Sequence, residues 1–215
     1  VTGMESRLND FNKQVEAGLT RTELTKFTAY IDESLQICLR NTRKATDIIH
    51  RFKRIAVDRG SEKEEQFCVE AVINDVVLAL HHQLAREGVE VALHLPGQTN
   101  IHGYPGFMSQ TIQNLIVNCI DHAFKTTPKP KIDVTLTHNN NIVTIKVADN
   151  GSGIPDALNH TIFNPFVTTN RAKGNSGLGL YLVRQWIEQM KGAINISNLP
   201  EGGTCVILEL PARSH

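Results

Sequence analysis

The feature that most limits what this chain can fold into is an apolar seam running from Leu24 to Ala56. Leu24, Phe27, Ile31, Leu35, Cys38, Ala45, Ile49, Phe52 and Ala56 recur at close to a three-four spacing, which predicts one long amphipathic helix. A helix of about 35 residues runs about 50 Å at 1.5 Å per residue, and no single short partner can cover a seam of that length. Thr20 or Thr22 can cap its start. Upstream, Met4, Leu8, Phe11 and Val15 form a shorter stripe, and Ala17-Gly18-Leu19-Thr20 breaks it. The two stripes predict an antiparallel helical hairpin over residues 1–57. The uncovered seam predicts a homodimer in which two hairpins form a four-helix bundle. Arg40, Arg43, Lys44, Arg51 and Lys53 fall mostly on the solvated faces.

Asp58-Arg-Gly-Ser-Glu-Lys-Glu-Glu65 has no apolar residue and reads as a linker over 58–65, so a second domain spans 66–215. Within it, Gln66 to Glu70 suggests a short strand. Ala71 to Arg86 has helical spacing, and Val89 to Leu95 alternates as a strand. A helix follows Tyr104-Pro105-Gly106, with Ile112, Leu115, Ile116, Cys119, Ile120 and Ala123 facing a core. Its neighbouring polar stripe holds Asn114, Asn118 and Asp121 or His122. Two alternating strands, Ile132 to Thr137 and Ile142 to Ala148, read as a hairpin through Asn139-Asn-Asn141. From Asp156 to Ser176 no period survives, which suggests a functional lid or disorder. A helix resumes over Gly177 to Met190, and strands follow at Ala193 to Ser197 and Gly203 to Leu210.

Composition narrows the function classes. With 22 basic and 22 acidic residues the formal net charge is zero, so no broad attraction to nucleic acid or anionic lipid is expected. Cys38, Cys68, Cys119 and Cys205 form no Cys-x-x-Cys pair, which argues against a zinc site and for reduced, mostly buried thiols in a cytosolic setting. His81 and His82 are neighbours on one helix and cannot face one metal together; they read as surface residues. No apolar run reaches the roughly 18 residues that span a bilayer. The chain opens at Val1-Thr2-Gly3 without a methionine, so a piece of a longer protein is expected.

Four separated stretches carry the chemistry: Asn114-Leu-Ile-Val-Asn118-Cys-Ile-Asp121-His122, Asp149-Asn-Gly151-Ser-Gly153, Phe163-Asn-Pro165-Phe166-Val-Thr168-Thr169, and Gly174-Asn-Ser-Gly177-Leu178-Gly179. Asp149 at a strand end, with glycines after it, can accept from a purine's exocyclic amine while the base lies close to backbone. Asn118 offers a neutral oxygen suited to a magnesium ion that already carries phosphates and waters. Gly174, Gly177 and Gly179 open a helix whose backbone N–H groups can meet phosphate oxygens. Arg171 and Lys173 in the expected lid can add positive charge. Each stretch has an ordinary alternative: an Asp-Gly turn, a helix-surface asparagine, a glycine-rich helix start, a solvated charge. Their order and spacing make the case.

That order resembles the N, G1, F and G2 boxes of the ATP-binding domain of sensor histidine kinases, within the superfamily that includes DNA gyrase and mismatch-repair ATPases. The likeness covers about Glu65 to Pro211 and includes Glu201-Gly202-Gly203-Thr204. It implies an α/β fold of the histidine kinase and gyrase type, an α+β sandwich whose mixed sheet carries helices on one face. Carried over by position, Asn118 is the magnesium asparagine, Asn114 the first asparagine of its box, and His122 a residue near the phosphates. Asp149 is the adenine-reading aspartate, supported by Thr204. Gly151 and Gly153 match the first glycine box, and Phe163 and Phe166 the lid anchor. Thr168, Thr169, Lys173 and Gly174 border the nucleotide, and Gly177, Leu178 and Gly179 lie on its phosphate side. Asp121 departs from the pattern, since many members carry a basic residue there.

The upstream hairpin is similar to the dimerisation and phosphoacceptor domain of the same family. There the acceptor histidine is followed by an acidic residue, and none of the nine histidines here is. His50 therefore reads as structural, and the acceptor is expected before Val1. The resemblance implies ATP and Mg2+ as cofactors, γ-phosphate transfer to histidine and then to an aspartate on a response-regulator receiver domain, and no nucleic-acid partner. It further implies a cytoplasmic portion of an inner-membrane sensor, with the membrane reached only through a sensor part outside this chain. A serine-directed kinase or ATP-driven clamp on the same fold, and a non-catalytic dimerisation scaffold, are the competing readings.

Overall fold

The computed structural model describes residues 2–57, 63–168 and 176–212, giving backbone alone for 2–5, 43–45 and 47–57. The expectations for residues 58–62 of the linker, and for Thr169, Arg171, Lys173 and Gly174, lie outside the described residues, as does the side chain of His50. The chain divides into two compact units, Val1–Lys53 and Arg54–His215.

In the first unit α1 (Thr2–Gly18) and α2 (Arg21–Val57, which runs on past the unit's end) are joined by a tight break at Leu19-Thr20. Thr20 caps α2 by a reciprocal pair: its Oγ1 accepts from Glu23 N–H at 3.3 Å, while Glu23 Oε2 accepts from Thr20 N–H at 2.9 Å. Phe11 stacks on Phe27 with centroids 3.8 Å apart, and the Arg7 guanidinium lies over the Tyr30 ring. These pairings run in opposite directions along the two helices, so the hairpin is antiparallel. Leu8, Val15, Leu24, Leu35, Ile37 and Leu39 remain exposed.

The second unit is a mixed sheet with helices on one face. It comprises β1 (Glu65–Cys68), α3 (Val69–Arg86), β2 (Glu90–His94), β3 (Asn100–Gly103), α4 (Pro105–Asn118), β4 (Lys131–Asn139), β5 (Ile142–Asp149), α5 (Gly179–Gln189), β6 (Ala193–Asn198) and β7 (Thr204–Pro211). Five strands are ordered β2-β4-β5-β7-β6, with β2 parallel to β4 and the other pairs antiparallel. Ile132, Val134, Leu136, Val143, Ile145, Val147, Val206 and Leu208 point to the covered face. Ile112, Leu115, Ile116, Leu182, Val183 and Ile187 of α4 and α5 complete that core. The alternation of β4, β5 and β7 thus has a direct cause, one dry face and one wetter face.

Several elements differ from the sequence reading. The strand expected over 66–70 is Glu65–Cys68, and Glu70 belongs to the first turn of α3. Its buried carboxylate accepts from Thr99 N–H at 2.8 Å and Thr99 Oγ1–H at 2.7 Å, tying the helix start to the chain before β3. Strand β3 was not expected, because Asn100-Ile-His-Gly103 has one large apolar residue and shows no alternation; its pairing with β1 forms it. The segment after Pro155 holds a short 3-10 turn, Asp156–Leu158, then successive turns as far as Phe166.

Candidate functional site

The site is built around the last residue of β5. Asp149 is 6% exposed, and its Oδ1 accepts from Gly151 N–H at 2.9 Å and Thr204 N–H at 3.2 Å. Its Oδ2 meets the weak donor Cys119 Sγ, at 3.7 Å. Burial raises the carboxyl above its ordinary range, with the Gly151 and Thr204 amides pulling the other way. Burial and the neighbouring carboxylate push the Cys119 thiol well up, so it stays protonated and can donate. The result is a carboxylate with one oxygen fixed by backbone and the other facing a thiol, a ready acceptor for an N–H donor.

Close backbone contacts hold this carboxylate in place. A Cβ on Gly151 would drive into the Ala123 carbonyl, and Ser152 N–H donates to that same oxygen at 3.0 Å. Gly203, at φ +94°, passes so close to the Asp149 backbone that a Cβ would lie 2.8 Å from its carbonyl carbon. Only glycine meets both demands there. On the far side Asn198 grips Ile154 twice, accepting from its N–H at 2.7 Å and donating to its carbonyl at 2.8 Å. Asn150 pins the other flank through Lys131 N–H at 2.8 Å and the Lys129 carbonyl at 2.8 Å.

Beside the carboxylate, α4 ends at Asn118 and widens into a π-turn, Cys119–Ala123, which carries Asp121 and His122. The helix α5 starts against the same two asparagines: a Cβ on Gly179 would lie 3.4 Å from Asn114 Oδ1 and 3.5 Å from Asn118 Oδ1. Leu178, fully buried, anchors the start of α5, and among the described residues no side chain caps it, which leaves its first N–H groups available to an anion. Gly177, at φ +68°, packs onto the Phe166-Val167 backbone, and its carbonyl accepts from Phe166 N–H at 2.9 Å. Phe163 sits under the Arg184 guanidinium, 5.9 Å from carbon to ring centroid. Thr168 closes this described segment. The structure thus brings Asn114, Asn118, Gly177, Leu178 and Gly179 together, and gathers Asp149, Gly151, Gly153 and Thr204 beside Cys119 and Ala123.

Among the described residues no group of His, Cys, Asp and Glu side chains could hold a metal by itself. The neutral amide oxygen of Asn118 could instead join a hard cation that arrives already bound to phosphate and water. Sequence reasoning missed Asn198, Cys119 and the Ala123 carbonyl as parts of the site. Cys119 carried only the signal of a core position, and backbone carbonyls leave no mark in sequence. Thr204 meets Asp149 through its backbone N–H, a contact that no side-chain pattern announces.

Residues 103–214 match the family described as histidine kinase-, DNA gyrase B-, and HSP90-like ATPases. The chain belongs to that ATP-binding family, as a catalytic domain of the sensor histidine kinase type. It is 34% identical over 145 residues to the sensor protein CreC of Escherichia coli K12, covering 66% of this chain and 30% of CreC. To the sensor-type histidine kinase PrrB of Mycobacterium tuberculosis H37Rv it is 27% identical over 185 residues, covering 85% of this chain and 40% of PrrB. The chain therefore spans well under half the length of these relatives. Among solved structures, the catalytic domain of histidine kinase ThkA superposes with a TM-score of 0.62 at 26% identity, covering 70% of this chain and 98% of that one.

Proposed function

We propose that this chain is the dimerisation and ATP-binding core of a two-component protein histidine kinase, divided at 1–57, 58–65 and 66–215. The observation that carries the reading is Asp149, a buried carboxylate with Oδ1 held by two backbone amides and Oδ2 turned to a thiol. An adenine amine donating to Oδ2 would gain a charged hydrogen bond, and a base with a carbonyl in that place would meet repulsion.

The remaining residues follow from that anchor. Asn118, with Asn114 beside it, would hold magnesium, whose charge offsets that of the triphosphate. The uncapped start of α5 with Gly177, Leu178 and Gly179 would take phosphate oxygens, and His122 would lie near them. Gly151 and Gly153 let the base approach the backbone, while Thr168, Thr169, Lys173 and Gly174 would border the nucleotide. Phosphoryl transfer asks little covalent chemistry of the protein, so these groups act by positioning and by offsetting charge. The γ-phosphate would pass to an acceptor imidazole and then to a receiver-domain aspartate. The exposed apolar residues of α1 and α2 support a homodimer built on the hairpin. No described helix is long and apolar enough to cross a membrane, and a cytoplasmic portion of an inner-membrane sensor suits that arrangement.

Calorimetric titration of the 215-residue chain tests the reading. Saturable, magnesium-dependent binding of ATP, with weaker binding of inosine triphosphate, is expected. Absence of ATP binding would sink it and favour a dimerisation scaffold.

A further inference from the structure

We propose that Asn198 is a positioning residue for the nucleotide: by clasping Ile154 it sets the turn that holds Asp149 in its acceptor geometry. This rests on the reading of Asp149 as the adenine contact. Asn198 ends β6, lies 44 residues from Ile154 in sequence, and bonds both its N–H and its carbonyl. Two bonds to one residue imitate a pair of strand neighbours and fix the orientation of the peptide, which a single bond would not.

The rest of the turn shows why that orientation matters. Gly151 donates to Asp149 Oδ1, Ser152 N–H is tied to Ala123, and Gly153 turns at φ +74° before Ile154. The turn is therefore held on the helix side by Ala123 and on the sheet-edge side by Asn198. A Cβ on Gly153 would sit 3.0 Å from Asn198 Oδ1, so the amide also fills the space beside the reversed backbone. Released from Asn198, the turn could swing about Ser152 and carry Gly151 N–H away from Asp149. β6 is an edge strand, and Asn198 faces Thr204, whose N–H is the other donor to Asp149. Asn198 thus joins the turn that carries one backbone donor of the carboxylate, through its side chain, to the strand that carries the other, through its backbone pairing.

The test uses the full 215-residue chain and calorimetric ATP titration in magnesium. Losing one net hydrogen bond corresponds to about three- to tenfold in affinity, and the exposure of Asn198 places Asn198→Ala near the lower end. Asn198→Asp separates positioning from general structure. At neutral pH its carboxylate keeps the acceptor for Ile154 N–H but cannot donate to the Ile154 carbonyl and repels it instead, so binding should fall below wild type. In acid the carboxylic acid regains the donor, and the ratio of the two variants' affinities should rise severalfold. Taking that ratio cancels the titration of Asp149, Asp156, Glu201 and the nucleotide, which the variants share. Amide hydrogen exchange at Ile154, read without nucleotide, should quicken in Asn198→Ala. Wild-type affinity in Asn198→Ala, or a weakened Asn198→Asp whose ratio to Asn198→Ala does not change with pH, overturns the proposal. If wild-type chain binds no ATP, the underlying reading fails and this one with it, distinguishable because Ile154 exchange would still respond to Asn198.

Discussion

Asp149→Asn should separate binding from stability, because the same carboxylate helps one and costs the other. The amide keeps an oxygen for Gly151 and Thr204 and puts an NH2 where Oδ2 faced Cys119 at 3.7 Å. An adenine amine then meets a donor instead of a charged acceptor. Loss of a hydrogen bond to a charged group is worth about 1.5–3 kcal/mol, or about ten- to 150-fold in ATP affinity. Stability runs the other way. Burial raises the Asp149 pKa, so the folded state holds its proton to higher pH than the unfolded chain does. Ionised Asp149 therefore opposes folding above its raised pKa. That cost disappears as pH falls through the raised value toward the ordinary 3.8. Asparagine carries no such cost, so the nucleotide-free variant should melt no lower than wild type at pH 7.5, and any advantage should shrink on acidification. Wild-type ATP binding should itself weaken in acid sooner than an ordinary aspartate would allow. Thermal unfolding at several pH values, with calorimetry at each, reads both effects. If Asp149→Asn loses melting temperature and ATP affinity together, the carboxylate is a structural tie and the argument fails.

Other substitutions probe the neighbouring pieces. Asn118→Ala should weaken ATP binding in magnesium and leave metal-free ADP binding nearly unchanged; calorimetry with and without magnesium checks this, and equal losses in both would remove Asn118 from the metal. Gly151→Ala should destabilise the fold by about 2–4 kcal/mol, since its Cβ has to displace the Ala123 carbonyl; urea unfolding measures it, and a change below about 0.5 kcal/mol would show that the contact yields. The chain should sediment as a dimer at about tens of micromolar through its exposed leucine-rich helices, and Leu24→Ser with Leu35→Ser should shift it toward monomer; a monomeric wild type would contradict the bundle. Incubated with labelled ATP, the chain should gain no acid-labile phosphate, because none of its histidines is followed by an acidic residue; label on His50 would identify that residue as the acceptor.

Much of the architecture was legible because its elements are strongly periodic. The alternation of β4, β5 and β7 reflects one buried face, and α4 and α5 show the helical equivalent; the seam from Leu24 is as periodic, although Leu24 and Leu35 stay exposed in the single chain. β3 escaped because a four-residue strand beside β1 is formed by its partner and not by its own residues. Asp149 was readable as a carboxylate at a strand end followed by glycines. Its two backbone donors were not, since a backbone N–H belongs to every residue. Asn198 was unreadable for a related reason: an asparagine at a strand end is an ordinary turn residue until a chain segment 44 positions away is brought against it.

The π-turn explains why these pieces meet at one place. Had α4 continued as a regular helix, the Ala123 carbonyl would have been directed along the helix toward a residue one turn on. The chain instead widens over Cys119–Ala123, and the freed carbonyl accepts from Ser152, in the turn after Asp149. The same widened turn presents Cys119 to Asp149 Oδ2, while Asn118, one residue earlier, stays on the regular helix facing Gly179. One local change in helical winding thus divides the proposed site: the Asp149 carboxylate is held against the π-turn, and Gly179 against the last regular turn. The absence of a side chain at Gly151 follows from this geometry, since the carbonyl that ties the two halves together occupies the space a Cβ would need.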